Sequence, residues 1–350
     1  MTVFDNYDLS ARNTFRMKVR CARFVEYDSA EELEALDFAA LPRPVLAMGG
    51  GSNLLFTGDF PGTVLHGRIG GIRVAAEAPD GGVLVEAGAG VVFDDLCAWA
   101  AGEGLWGLEN LSLIPGEVGA AAVQNIGAYG VEFKDVAVEV RCLELATRAR
   151  RTFRVEECAY GYRESLFKRP EVKGKYIVLS VLLRLSRAAM PRLDYGNIRA
   201  ALGNDAPAGP AEVREAVIRI RREKLPDPAE KGSAGSFFKN PVIPQEHFAR
   251  IEALTRAELG PEAKVPHYDA GGMVKVPAAW MIERLGFKGL KAGNAAVWEK
   301  QPLVLVNDTG AAAPQEILAL EHRIIGAVRE KYGIELHPEV EHIDSRSSRE

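Results

Sequence analysis

Val45-Leu46-Ala47-Met48-Gly49-Gly50-Gly51-Ser52-Asn53 reads as a short apolar strand that runs into three consecutive glycines and two side-chain donors. Consecutive glycines let the main chain turn so that successive N–H groups converge on an anion, as in a phosphate nest. A glycine triplet is also an ordinary turn, so the segment alone decides nothing. The residues after it exclude two phosphate loops. Leu54-Leu55-Phe56 is strand-like where a G-x-G-x-x-G fingerprint would open a helix, and no Gly-Lys-Ser/Thr completes a P-loop.

A second small-residue segment runs from Gly107 to Gly130. It contains Ile114-Pro115-Gly116, then Glu117-Val118-Gly119-Ala120-Ala121-Ala122, then Gln124-Asn125-Ile126-Gly127-Ala128-Tyr129-Gly130. A flat aromatic ligand and its pyrophosphate can lie against such a backbone, or the segment is a tightly packed loop with no ligand. Both readings stand at this point.

Around these segments the first half of the chain reads as short strands between glycine-rich turns. They are Val45–Met48, Thr63–His66, Val83–Ala87, Val136–Leu145 and Tyr176–Leu185, all rich in Val, Ile and Leu. One helix, Asp94–Glu103, interrupts them. Met190–Pro210 reads as a connection. Helices follow at Ala211–Leu225, Gln245–Leu259, Ala278–Leu285 and Pro314–Tyr332, the last two with Pro at the start and Gly just past the end. Lys231–Pro241 reads as a Gly/Ser loop, Leu303–Asn307 as a strand and Ile334–Ile343 as extended chain. The fold class is therefore mixed, α+β.

Composition limits the function. A hydrophobic content of 47% supports a large core, and a net charge of −5 with both signs interspersed disfavours a general nucleic-acid binder. Cys21, Cys97, Cys142 and Cys158 form no C-x-x-C pair and sit at no metal-ligand spacing, so no metal is expected and reduced thiols are. Met1–Ser10 carries acids rather than an apolar run, and no stretch of about 18 apolar residues exists. These features predict a cytoplasmic protein with no membrane partner, and a monomer is the default.

Three further segments carry reactive groups: Tyr160-Gly161-Tyr162-Arg163-Glu164-Ser165, Gly232-Ser233-Ala234-Gly235-Ser236-Phe237-Phe238-Lys239-Asn240-Pro241, and Leu336-His337-Pro338-Glu339-Val340. Singly they read as a surface ion pair, a turn serine and a solvated carboxylate. No G-x-S-x-G holds either serine, which excludes a serine hydrolase of that type. Jointly, and with Asn13-Thr14-Phe15, G-G-G-S-N and I-P-G-x-V-G…Q-N-I-G-A-Y-G, they resemble the UDP-N-acetylenolpyruvoylglucosamine reductases, flavoenzymes of bacterial peptidoglycan precursor synthesis. The likeness runs from about Asn13 to Ile343, and it departs from the family at Ala120-Ala121-Ala122, where relatives often carry Gly or Ser.

The resemblance implies an FAD-binding domain of the vanillyl-alcohol oxidase / p-cresol methylhydroxylase type, built of two subdomains (1–70 and 71–210), and a C-terminal α+β substrate domain (211–333). The strand 334–343 is expected to join the first subdomain. It implies non-covalent FAD held by Gly49, Gly50, Gly51, Ser52, Asn53, Ile114, Pro115, Gly116, Gly119, Ala120, Asn125, Gly127, Ala128 and Tyr129. NADPH is the implied co-substrate, and no 2′-phosphate motif independently marks it. Arg163 would face the substrate carboxylate, Ser236 would supply a proton, and Glu339 would lie near, protonated or sharing a proton. Tyr162, Tyr195, Lys224, Asn240, Tyr268 and Gln301 would contact UDP-N-acetylenolpyruvoylglucosamine, with His267 an alternative to Tyr268. Tyr195 matches the family form with an extra tyrosine loop, and Met190–Asn204 is a candidate lid. The alternatives are an oxidase of the same flavin superfamily and a non-catalytic flavin or UDP-sugar binder.

Overall fold

A computed structural model of the chain describes residues 1–204 and 206–344. The charged tail Ser345–Glu350, to which the sequence assigns no function, lies outside the described residues.

Two sheets build the N-terminal half. In the first, Phe60–Gly67 lies between Arg20–Tyr27 and Val45–Ala47, parallel to both, and Thr2–Asp8 adds an antiparallel edge. Phe60–Gly67 is almost continuously buried, as a strand covered on both faces must be. The second sheet is antiparallel, in the order Arg150–Arg154, Ala137–Glu144, Tyr176–Ser186, Gly82–Gly88, Ile72–Glu77. Helices Phe93–Gly102 and Val118–Gln124 cover it with Phe93, Leu96, Val118 and Ala122. Val25, Tyr27, Leu33 and Leu65 of the first unit pack on Leu143, Ile177 and Leu179 of the second.

The C-terminal part sets strands Gly232–Ser236, Val304–Asn307 and Ala295–Val297 against helix Pro314–Tyr332. Ile317, Leu320, Ile324 and Val328 of that helix repeat every three or four residues and form its buried stripe. Its ends follow the expected chemistry: Pro314 opens it, and Gly333 closes it at φ +66°. The chain then returns to its beginning, and Glu341–Ile343 pairs in parallel with Leu54–Phe56. Leu9, Phe15, Phe24 and Phe56 consequently share one core with Phe237, Phe238, Ile324 and Leu336.

Several elements differ from the sequence reading. Gly232–Ser236 is a strand rather than part of a loop, because it pairs with Val304–Asn307, a tertiary partner that its Gly/Ser/Ala composition does not advertise. The small-residue segment holds a helix, Val118–Gln124; Ala120–Ala122 are good helix formers masked by flanking glycines. The connection Met190–Pro210 contains a helical turn, Ile198–Leu202. Only Glu341–Ile343 of the extended stretch is strand. Helix Pro210–Lys224, grouped by composition with 211–333, packs elsewhere. Val213, Val217 and Ile220 meet Trp106, Leu193 and Ile198, and Arg214 grips Asp94 through two nitrogens. By packing, this helix goes with the second unit, and the chain crosses over only after Lys224.

Phe237 is fully buried and meets Phe15 edge-on at 6.1 Å. Phe237→Ala is expected to lower stability by about 3–5 kcal/mol through the cavity left between the two chain ends. A denaturant melt would show this as a lower midpoint with unchanged slope.

Candidate active site

The first loop is built on the N-terminal segment. Gly51 has φ +62°, and a Cβ there would lie 2.2 Å from the Arg12 carbonyl, so only glycine fits. Its carbonyl accepts from the Thr14 N–H at 3.2 Å. Buried Asn13 locks that turn: its amide donates to the Leu9 and Met17 carbonyls, and its oxygen accepts from the Met17 N–H.

The second loop lies directly against the first. Ser52 Oγ donates to the Pro115 carbonyl at 3.1 Å. A Cβ on Gly50 would touch Gly116 Cα at 3.5 Å, and one on Gly49 would touch the Ala120 methyl at 3.5 Å. Gly119 packs its helix on Ala89, where a Cβ would come within 2.9 Å. Ile114 is partly buried against the core of the second sheet. The two glycine segments thus form facing walls with exposed backbone, a cradle suited to a dinucleotide.

Asn125, also expected to touch the cofactor, has its side chain fully engaged within the protein. At φ +43° it ends helix Val118–Gln124. Its amide donates to Glu132 and the Gly161 carbonyl, and its oxygen accepts from the Lys134 N–H. Its work is to hold the Gly161-Tyr162-Arg163 turn against the helix end. Gly127 and Ala128 lie in the neighbouring small hairpin, and Arg163 Nη2 donates to the Gly127 carbonyl at 2.6 Å. The Tyr129 ring packs with Trp106 and Ile198.

Two of the three residues expected to react pair directly, and the third lies on the adjoining strand. Arg163, at φ +57°, donates through Nε to Glu339 Oε1 at 2.7 Å. The Glu339 N–H donates to the Phe237 carbonyl at 2.8 Å, one residue beyond half-buried Ser236. Asn53 Nδ2 closes the arrangement with bonds to the Glu339 carbonyl at 3.0 Å and to Gln124 Oε1 at 2.9 Å. Glu339 is therefore ion-paired in this state, with the guanidinium opposite its carboxylate, whereas the sequence reading expects it protonated or sharing a proton.

Aromatic and basic groups flank the trio. Tyr162 lies beside Arg163, and Lys275 Nζ sits 4.6 Å above its ring, while Asn240 Oδ1 accepts from the Ala278 N–H. Burial, above all, raises the Tyr162 phenol, so it stays a neutral donor. Tyr195 packs over Gly130 and stacks on Tyr268, centroids 6.1 Å apart. His267 turns away onto Phe248, which leaves Tyr268 as the one beside Tyr195. Lys168 donates to the Arg163 carbonyl at 2.7 Å, and burial, then Lys239, lowers its pKa. Lys224 and Gln301 stand apart. Lys224 is exposed at its helix end and accepts the Trp298 indole N–H at its carbonyl, while Gln301 caps the Leu303 N–H. Sequence reasoning missed Lys168 and Lys275. Lys168 lies three residues beyond the Tyr160–Ser165 segment, but Lys275 sits in Val-Lys-Val with no signal. No metal-binding cluster occurs among the described residues, and the four cysteines are buried and unpaired.

A model of the UDP-N-acetylenolpyruvoylglucosamine reductase C-terminal domain matches residues 227–343, and an FAD binding domain model matches 22–148. A reductase of that name from Bacteroides fragilis is 47% identical over 339 residues, covering 96% of this chain and 99% of its own. One from Chromobacterium violaceum is also 47% identical, covering 95% and 96%. The chain belongs to the UDP-N-acetylenolpyruvoylglucosamine reductase family. The crystal structure of the Thermus caldophilus reductase shares the fold, with TM-score 0.65 and 23% identity over 97% of this chain and 98% of that one. The expected fold class, an FAD-binding domain plus a C-terminal α+β domain, is borne out. A family match along the whole chain sets aside the oxidase and non-catalytic alternatives, and FAD is the cofactor of the family.

Gly50 keeps an ordinary φ, so a side chain there fills the gap toward Gly116 without straining the loop. Gly50→Val is expected to weaken FAD binding roughly tenfold or more, about 1.4 kcal/mol. An FAD titration of the apo-protein, with an unchanged circular-dichroism melt as control, checks this.

Proposed function

We propose that this chain reduces UDP-N-acetylenolpyruvoylglucosamine to UDP-N-acetylmuramate with NADPH, through FAD bound non-covalently between the two glycine segments. The observation that carries the reading is the convergence of Arg163, Glu339 and the Ser236 strand beside the facing loops. Bound there, FAD would supply the hydride-carrying chemistry between NADPH and the enolpyruvyl double bond.

The protein's own groups handle the charge and the proton. Hydride addition leaves negative charge on the carbon next to the carboxylate. Arg163, fixed by Glu339 and the Gly127 carbonyl, is aimed to hold that carboxylate and stabilise the charge spreading into it. Ser236 delivers a proton to the carbon, and a hydroxyl this weakly acidic needs the neighbouring cations to do so. Lys168, Lys239 and Lys275 supply them around Arg163 and Tyr162. Tyr162 and Asn240 contact the sugar side. Tyr195 and Tyr268 form the stacked lid of the extra-loop form, and Lys224 and Gln301 reach the distal diphosphate and uridine. The enzyme acts in the cytoplasm as a monomer, with domains of 1–70 plus 334–343, 71–224 and 225–333.

An anaerobic spectrum tests the reading. NADPH should bleach the flavin band, and the UDP-sugar should restore it; bleaching without recovery would remove the proposed substrate. Ser236→Ala should leave bleaching by NADPH intact and slow the recovery by about 10²-fold or more, measured by stopped flow.

A further inference from the structure

Beneath the first glycine loop lies a buried chain of charges that the reaction does not use. Glu117 Oε1 is 3.0 Å from His66 Nε2, and His66 Nδ1 is 3.0 Å from Glu26 Oε1. Arg12 Nη2 meets the same Glu26 oxygen at 3.1 Å. His66 is 7% exposed, so little of its ring meets solvent. Glu117 precedes helix Val118–Gln124 but makes no capping bond to it. Its second oxygen, Oε2, has no hydrogen bond among the described residues and points to the cradle, 3.0 Å from where a Cβ of Gly49 would stand.

Both ring nitrogens of His66 face carboxylate oxygens. A neutral imidazole has one N–H and would leave a lone pair against a carboxylate, so the geometry fits the imidazolium. The groups facing it are Arg12 from the N-terminal turn, Glu26 from the adjacent strand and Glu117; the nearby Tyr27 phenol is kept neutral by burial. With His66 protonated, the two cations and two carboxylates sum to zero. With His66 neutral, one negative charge stands under the loop assigned to a pyrophosphate.

We propose that Glu117, clamped by His66, is a cofactor-positioning residue: Oε2 accepts a hydrogen bond from a hydroxyl or amino donor of the bound dinucleotide, and the His66 imidazolium cancels the charge that would repel its pyrophosphate. This rests on the reading that the two glycine segments cradle FAD. Burial pulls the His66 imidazolium down, but the bonds and charges of Glu117 and Glu26 outweigh it, and the net pKa is above the ordinary histidine value. Neutralisation is complete below the ordinary histidine range and is lost as pH rises through the raised value, so FAD affinity falls on the alkaline side.

The test is the FAD dissociation constant of the apo-protein between pH 5.5 and 9, read by flavin fluorescence, with apo-protein melting temperatures alongside. Glu117→Ala is expected to weaken binding about 10- to 100-fold, the worth of one hydrogen bond to a charged group. His66→Gln is expected to abolish the alkaline fall. If Glu117→Ala does not fold, Glu117→Gln serves, and should move the pH step to lower pH, because His66 then keeps only Glu26 of the two carboxylates that raise it. Unchanged or tighter binding by Glu117→Ala would overturn the proposal. So would a pH step that survives in His66→Gln, or a loss of affinity matched by an equal loss of apo stability with no change in pH profile. Should Gly50→Val bind FAD normally, the cradle itself is misplaced, and that failure is separate from any result at Glu117.

Discussion

A single side-chain amide joins the parts of this molecule that must meet. Asn53 Nδ2 donates to Gln124 Oε1 and to the Glu339 carbonyl, tying the first loop to the end of helix Val118–Gln124 and to the last segment of the chain. Its carbonyl accepts from the Glu341 N–H, which begins the parallel pairing of Glu341–Ile343 with Leu54–Phe56. Closing a loop this long costs chain entropy that grows only slowly with length, and burial of both chain ends in one core offsets it. The Glu339 carboxylate is placed by that closure, because it reaches Arg163 only when the chain end is stitched to the first sheet.

Electrostatics then give the site its character. Arg163 and Glu339 are each less than a fifth exposed, so their pairing is screened far less than the ion pairs of the rim. Lys168, Lys239 and Lys275 surround them, with Glu164 holding Lys239. The cluster carries a positive surplus, which suits a substrate that brings a carboxylate and a diphosphate. A charge of either sign left unpaired there would be costly, and burial first, then neighbouring Lys239, lowers the Lys168 pKa. The cofactor walls are different. They offer backbone and small side chains, and close approach rather than charge shapes them.

Much of the secondary structure was legible where local chemistry decides it. Helices Gln245–Leu259 and Pro314–Tyr332 run over the residues that their caps and apolar stripes indicate. The apolar strands of the first two sheets were visible in the same way. Elements built from small residues were not. Gly232–Ser236 and Val118–Gln124 carry no periodic apolar signal; the first owes its form to the strand it pairs with, and the alanines of the second are masked by flanking glycines. The edge strand Thr2–Asp8 is largely exposed and shows no alternation to read.

The site divides along the same line. Arg163, Ser236 and Glu339 and the two glycine segments were picked out through the family resemblance that the motifs carry jointly, since each segment read singly pointed to an ordinary turn or surface residue. Only the tertiary structure decided that Glu339 rests as an ion pair, that Asn125 spends its whole side chain inside the protein, and that Tyr268 rather than His267 faces Tyr195. It alone placed helix Pro210–Lys224 on the second unit and set His66 between Glu26 and Glu117. The reason is physical: residue type and spacing record local preference, whereas hydrogen-bond partners and charge balance depend on which distant segments the core brings within about 3 Å.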